Sequence, residues 1–231
     1  AVKMNTAAFQ WGRRAAHDPS AVSAVLGARA RDAGPVRETL DEMIARRREF
    51  LIAYQNAAYA DEYAAFVAKV RAAEAAKVPG STTLSEAVAR YAFKLMAYKD
   101  EYEVARLLLR PEARAAAEAV SGPGARVVWH LHPPALRSMG LGRKLRLGSW
   151  ARPALVVLRS ARRVRGTVVD PLRWSTVRRT ERAMVGEYLA AVDRLNAGLD
   201  AEHLAAAVEI AEMPQQVRGY EHLKKERAAA Y

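Results

Sequence analysis

Residues 94–107 read KLMAYKDEYEVARL, which sets two phenols, Tyr98 and Tyr102, beside Lys99 and the carboxylates Asp100, Glu101 and Glu103. Crowded phenols and carboxylates are the material of general acid–base chemistry or of a cation site. The spacing argues for neither. At 3.6 residues per turn, Asp100, Glu101 and Glu103 do not project together from one helix face. Leu95, Tyr98, Tyr102 and Ala105 do share a face, while Lys99 and Glu103, like Tyr102 and Arg106, stand four apart. The spacing predicts one amphipathic helix with a tyrosine-bearing core stripe. A tyrosine on such a stripe needs a partner for its hydroxyl. Dense charge around that stripe also makes Tyr98, Lys99, Asp100, Glu101 and Tyr102 a candidate interdomain surface.

Other candidates are weaker. His130 and His132 lie two apart in WHLHPP, so on a strand both would face one side and could chelate a metal. His17, His203 and His222 supply no spacing that adds a third ligand. An edge strand with two outward polar residues is the simpler reading. The chain has no cysteine, which excludes disulfides, thiolate zinc sites, cysteine nucleophiles and cysteine-held iron–sulfur clusters within it. It has no G-x-x-x-x-G-K-[ST], G-x-G-x-x-G, H-E-x-x-H or G-x-S-x-G pattern. GLGRKLRLG (140–148) sets glycines beside basic residues but lacks the strand–glycine–helix order of a phosphate loop. No catalytic, cofactor-binding or metal-binding residue is therefore assigned.

Charge is the larger anomaly. The 231 residues carry 37 basic and 25 acidic side chains, a net of +12. Residues 137–182 hold thirteen Arg or Lys against two acids, Asp170 and Glu181, so nearly the whole excess lies in one stretch. Its clusters contain Arg143, Lys144, Arg146, Arg159, Arg162, Arg163 and Arg165. Three readings compete: a solvated face, a nucleic-acid surface with Trp150 and Trp174 for stacking, or a dock for an acidic protein. The last suits the mixture best, because no helix-turn-helix or RNP-like pattern accompanies the charge.

The elements that must position these residues are mainly helical, since Ala, Leu, Glu and Arg dominate. Helices are predicted over 2–16 and 20–30, with Pro35 opening a third. Residues 36–78 contain no glycine or proline. As one helix they would span ~65 Å, so a break near Gln55-Asn56 is expected. Pro79-Gly80 turns the chain, Thr83 and Glu86 form a capping-box pattern, and a second long helix is expected over 84–109. The two pack as a long antiparallel helix hairpin. Pro111 interrupts the second helix, and a short one is expected over 112–120. RVVWHLH (126–132) and KLRL (144–147) read as a small β hairpin. Helices follow at 152–163, 175–197, 201–212 and 215–229, with Asp200 a candidate N-cap. The fold class is mainly α: a single helical domain over 1–231 with a basic subregion at 137–182. No apolar run approaches the roughly 20 residues that span a bilayer, so no membrane role is expected. The opening AVKMNTAAFQ has neither an initiator methionine nor a signal-peptide pattern, which suggests a piece of a longer, cytoplasmic chain.

Four phrases, taken in order, go further. AVKMNTAAFQWGRRAAHDPSAV (1–22) resembles the segment directly after the gamma-type domain of the large fused indolepyruvate ferredoxin oxidoreductases, a branch of the 2-oxoacid:ferredoxin oxidoreductase family. FKLMAYKDEYEVARL (93–107) resembles the most distinctive phrase of that family's C-terminal region. LHPP with its basic sequel and GTVVDPLRWSTVRRTERAMVGEY (166–188) resemble a later landmark, and MPQQVRGYEHLKK (213–225) another. The resemblance runs from residue 1 to about 226.

The resemblance implies a parent enzyme that oxidatively decarboxylates an aryl 2-oxoacid on thiamine diphosphate and magnesium. The acyl group goes to coenzyme A and the electrons pass through an iron–sulfur cluster to ferredoxin. It further implies a homo-oligomeric parent whose cofactor motifs lie in upstream catalytic domains. This chain has no G-D-G and no cysteine, so no cofactor is expected within it. It is then expected to be inactive alone and to serve in assembly, interdomain packing or docking of ferredoxin. The alternative is a basic helical nucleic-acid-binding module.

Overall fold

The computed structural model describes residues 2–26, 38–122, 124, 126–131, 140 and 142–216. The single domain expected over 1–231 divides into two compact units, Ala1–Thr39 and Leu40–Tyr231. In the first, α1 (Val2–His17) packs on α2 (Pro19–Leu26). Asp18 sits between them and accepts the amides of Ser20 and Ala21, both at 3.1 Å, so its carboxylate caps α2. The expected continuation to residue 30 and the role of Pro35 fall outside the described residues.

The second unit opens with the expected broken helix. α3 (Leu40–Tyr54) stops at Gln55, and α4 (Ala57–Lys77) starts behind Asn56, whose side chain accepts the amide of Tyr59 at 2.9 Å. Asn favours caps over helix interiors because its short amide competes for backbone donors. The chain can therefore fold back. Asp41 meets Arg71 and Arg48 meets Asp61, which sets α3 antiparallel to α4.

Gly80, at φ +87°, turns the chain into α5 (Thr83–Met96). The expected capping box is replaced. Thr83 is the first helical residue, and the donors at the helix start go instead to Glu74 at the end of α4. Its carboxylate accepts the amides of Leu84 (3.0 Å) and Ser85 (2.8 Å) and the hydroxyls of Ser81 and Ser85. Tyr63 reaches the Ala89 carbonyl and Tyr59 the Met96 carbonyl, so α4 and α5 run antiparallel as the hairpin reading expects.

After α6 (Glu101–Leu108), Pro111 opens α7 (Pro111–Ser121). The hairpin follows with β1 (Trp129–Leu131) antiparallel to β2 (Leu145–Leu147), in register Trp129–Leu147, His130–Arg146 and Leu131–Leu145. α8 (Arg152–Ser160), α9 (Thr176–Ala197) and α10 (Leu204–Glu212) complete the described helices. Asp200 accepts the amide of His203 at 2.8 Å, just before α10 rather than at its cap. Of the helix expected at 215–229, only a 3-10 turn, Met213–Gln216, lies within the described residues.

The main core joins Leu51, Tyr54, Tyr63, Val67 and Val70 of α3 and α4 to Leu84 and Val88 of α5, and to Met184, Tyr188 and Val192 of α9. Each fully buried aliphatic or aromatic side chain contributes about 1.5–3 kcal/mol. A smaller cluster packs Ala105 and Leu109 against Leu155, which fixes α8 to α6.

Candidate functional site

The opening segment is a helix junction, which corrects the single helix expected over 84–109. α5 ends at Met96 and α6 begins at Glu101, with Asp100 as its N-cap accepting the Glu103 amide at 2.8 Å. Ending a helix frees carbonyls that must find donors. Here those donors come from distant side chains. Tyr59 donates to Met96 O at 3.0 Å, Tyr54 to Tyr98 O at 2.8 Å and Arg178 to Lys99 O at 3.3 Å.

Each acid of the segment meets its own arginine. Arg165 grips Asp100 through Nε–Oδ2 at 2.5 Å and Nη2–Oδ1 at 2.9 Å, with both side chains almost wholly buried. Its third donor reaches the Tyr54 carbonyl at 2.7 Å. Its guanidinium carbon lies 3.7 Å from the Tyr54 ring centroid, a cation–π stack. Arg178 bridges Glu101 (3.0 Å) and Glu181 (2.6 Å). Arg106 holds Glu103 by two contacts of 2.7 Å and covers the Phe50 ring at 4.8 Å. Tyr102 donates to Asp170 at 2.7 Å, and Asp170 also accepts the amides of Gly166 (2.7 Å) and Leu172 (2.9 Å).

The electrostatics follow the geometry. Burial raises the Tyr102 phenol above the ordinary range, and its bond to the Asp170 carboxylate raises it further. Burial likewise raises Tyr54, opposed by Arg165. Burial works against the Arg165 cation, but the Asp100 carboxylate outweighs it and raises its pKa. Desolvation also opposes Arg178, which Glu181 and Glu101 outweigh. The acids and arginines of this cluster are spent on one another, Tyr102 on Asp170, and Tyr54 and Tyr59 on backbone carbonyls. What the arrangement does chemically is hold α3, α5, α6, the loop after residue 164 and α9 in one register.

The candidates therefore sort themselves. Tyr98, Asp100 and Tyr102 are interior, Glu101 is half-buried, and Lys99 is exposed. As expected, both tyrosines face other elements of the fold rather than open solvent. Among the basic candidates Arg165 is the correction: it is a buried structural cation, not a docking residue. Arg143, Lys144, Arg146 and Arg163 are exposed; Arg159 and Arg162 are half-buried. Arg162 donates to the Arg159 carbonyl, and burial followed by the neighbouring Arg163 and Arg159 charges lowers its pKa. His130 is exposed beside Arg146, and His132 lies outside the described residues. Among the described residues no three His, Asp or Glu side chains are grouped to hold a metal ion. Nor, among them, is any helix long and apolar enough to cross a membrane.

Sequence reasoning missed Glu74, Asp170 and Arg178 as organisers. Asp100-Glu101-Tyr102-Glu103 has the D-x-x-E spacing of a helix start, a local signal that was available. Nothing local marks Arg165 or Asp170.

A mainly helical unit with a two-stranded hairpin, tied through a buried arginine–carboxylate network, is the class this geometry defines. Residues 40–231 match the model of a family of unknown function, DUF6537, and the chain belongs to that family. No curated protein and no solved structure matches it.

Proposed function

We propose that this chain is the non-catalytic C-terminal region of an indolepyruvate ferredoxin oxidoreductase and serves its assembly and docking. One observation supports the reading most. Three of the four phrases that carry the resemblance are joined by side-chain contacts. KLMAYKDEYE is bound to GTVVDPLRW through Tyr102–Asp170, and to Arg165, the residue just before that phrase, through Asp100. It is bound to VRRTER through Glu101–Arg178, and to MPQ through Lys94, which donates to Pro214 O at 2.6 Å. Packing suffices to account for that wording, which supports the reading.

On this reading thiamine diphosphate, magnesium, the iron–sulfur cluster and coenzyme A act in upstream catalytic domains of a cytoplasmic, homo-oligomeric parent. The basic surface faces those domains or an acidic ferredoxin, and opposite charge speeds encounter in a salt-sensitive way. The test mixes the chain with those catalytic domains and with ferredoxin at low and high salt. Binding at low salt that weakens with salt supports the reading, and no binding to either at low salt contradicts it.

A nucleic-acid module is the second reading. It is favoured by the exposure of Trp150 (71%) and Trp174 (76%) beside arginines. A mobility shift with random DNA and RNA decides it: micromolar binding that falls steeply with salt supports it, and none excludes it.

A further inference from the structure

Residues 165–175 form a loop pinned from the inside and apolar on the outside. Arg165 is locked on Asp100, and Asp170, only 2% exposed, takes the amides of Gly166 and Leu172 and the hydroxyl of Tyr102. Successive turns tighten the path: Asp170 N to Thr167 O at 3.2 Å, Arg173 N to Asp170 O at 3.1 Å and Ser175 N to Leu172 O at 3.1 Å. Gly166 takes φ +77°, which a side chain would strain. Its exposed large apolar side chains are Val168 (80% exposed), Val169 (69%) and Trp174 (76%), with Thr167 and Pro171 exposed beside them. Single exposed apolar residues are ordinary, but here three large ones sit on one short anchored loop. The exposed Arg163 and Arg179 border the loop in sequence, and the half-buried Arg173 lies 5.8 Å from the Trp174 ring centroid. The two acids of residues 137–182, Asp170 and Glu181, are both buried, so neither offsets this rim.

We propose that this loop is a preformed docking surface for an acidic protein surface with an apolar hollow, Val168, Val169 and Trp174 being the anchors and the arginines the rim. The proposal rests on the docking reading above and names its contact. Tryptophan and arginine dominate interface hot spots, while lysine is depleted there. The basic stretch has one lysine, Lys144, among thirteen cations. Planar guanidinium groups pair carboxylates at two points, which suits an acidic protein partner. A nucleic acid would stack on Trp174 and leave the valines wet. The pinned backbone leaves little ordering cost on binding.

The test is calorimetric titration of the chain, and of Val169→Asp and Trp174→Ala, with the catalytic domains of an indolepyruvate ferredoxin oxidoreductase lacking this region. Phosphatidylglycerol vesicles and single-stranded oligodeoxythymidine are the competing probes. Both substituted side chains are exposed, so the variants should melt like wild type, which circular dichroism checks. The expected result is salt-sensitive binding of wild type and at least about tenfold weaker binding of each variant. If the variants bind as tightly as wild type, the docking reading stands and this loop is not its contact. If wild type does not bind the catalytic domains, both are overturned. If vesicles or oligonucleotide bind in a Trp174-dependent way while the catalytic domains do not, the surface belongs to lipid or nucleic acid and the proposal fails.

Discussion

Arg165 and Asp100, 65 residues apart in sequence, meet in a two-point ion pair buried where α5 gives way to α6. The pair carries two tasks, because the Asp100 oxygen that accepts from Arg165 also caps α6 through the Glu103 amide. Removing one member of a buried pair strands the other charge. Asp100→Ala should therefore cost about 3–5 kcal/mol, read by urea unfolding. The double variant Asp100→Leu/Arg165→Met should lose clearly less than the two single losses combined. Additive losses would show that the pair is not coupled.

Glu74 gives a pH signature. Burial pushes its carboxyl up, but hydrogen bonds from Ser85, Ser81 and the amides of Ser85 and Leu84 outweigh burial and hold it below the ordinary value of 4.5. A carboxyl depressed on folding contributes stability that is full above the unfolded value and is lost as pH falls through the folded one. Wild type should thus lose melting temperature below about pH 4.5 more steeply than Glu74→Gln. At neutral pH the Gln variant should be less stable by about 1–3 kcal/mol, since one carboxylate oxygen becomes a donor facing donors.

The phenols give the opposite signature. Tyr54, Tyr59, Tyr98 and Tyr102 are all raised above the ordinary value of 10.0, with burial the first cause in each. Groups raised on folding contribute stability that is full below the unfolded value and is lost as pH rises through the folded one. Ultraviolet titration should find these four of the nine tyrosines silent near pH 10. They should ionise only as the fold opens, whereas all nine titrate together in urea.

Asn56→Ala removes the cap that divides α3 from α4. The expected loss is about 1 kcal/mol, without merging the helices, because the buried packing of Leu51 and Tyr54 on Tyr63, Val67 and Val70 holds the fold-back. Urea unfolding measures the loss, and unchanged hydrodynamic radius checks the geometry.

Much of the frame was legible locally. Pro19 and Pro111 each mark a boundary between two helices, Asn56 interrupts one, and β-branched and aromatic residues at 127–131 mark the first strand, each by a short-range steric or hydrogen-bonding cause. The junction at 97–100 was not. Leu95, Tyr98, Tyr102 and Ala105 keep helical spacing, and neither glycine nor proline interrupts them. The break is stabilised by Tyr54, Tyr59, Arg165 and Arg178, which arrive from 35 or more residues away and leave no local trace. The charge sum misled in a related way. It counted Arg165 and Arg178 as surface cations, yet both are spent inside on acids, and the stretch's own two acids are buried as well.

The proposed docking role is tested most directly by adding this chain, in trans, to the catalytic domains of an indolepyruvate ferredoxin oxidoreductase without its C-terminal region, and following complex formation by sedimentation at low and high salt. The expected result is a complex at low salt that loosens as salt rises, formed by a chain that has no turnover of its own. Catalytic domains that sediment alone at low salt, with full ferredoxin reduction in the absence of this chain, would contradict it.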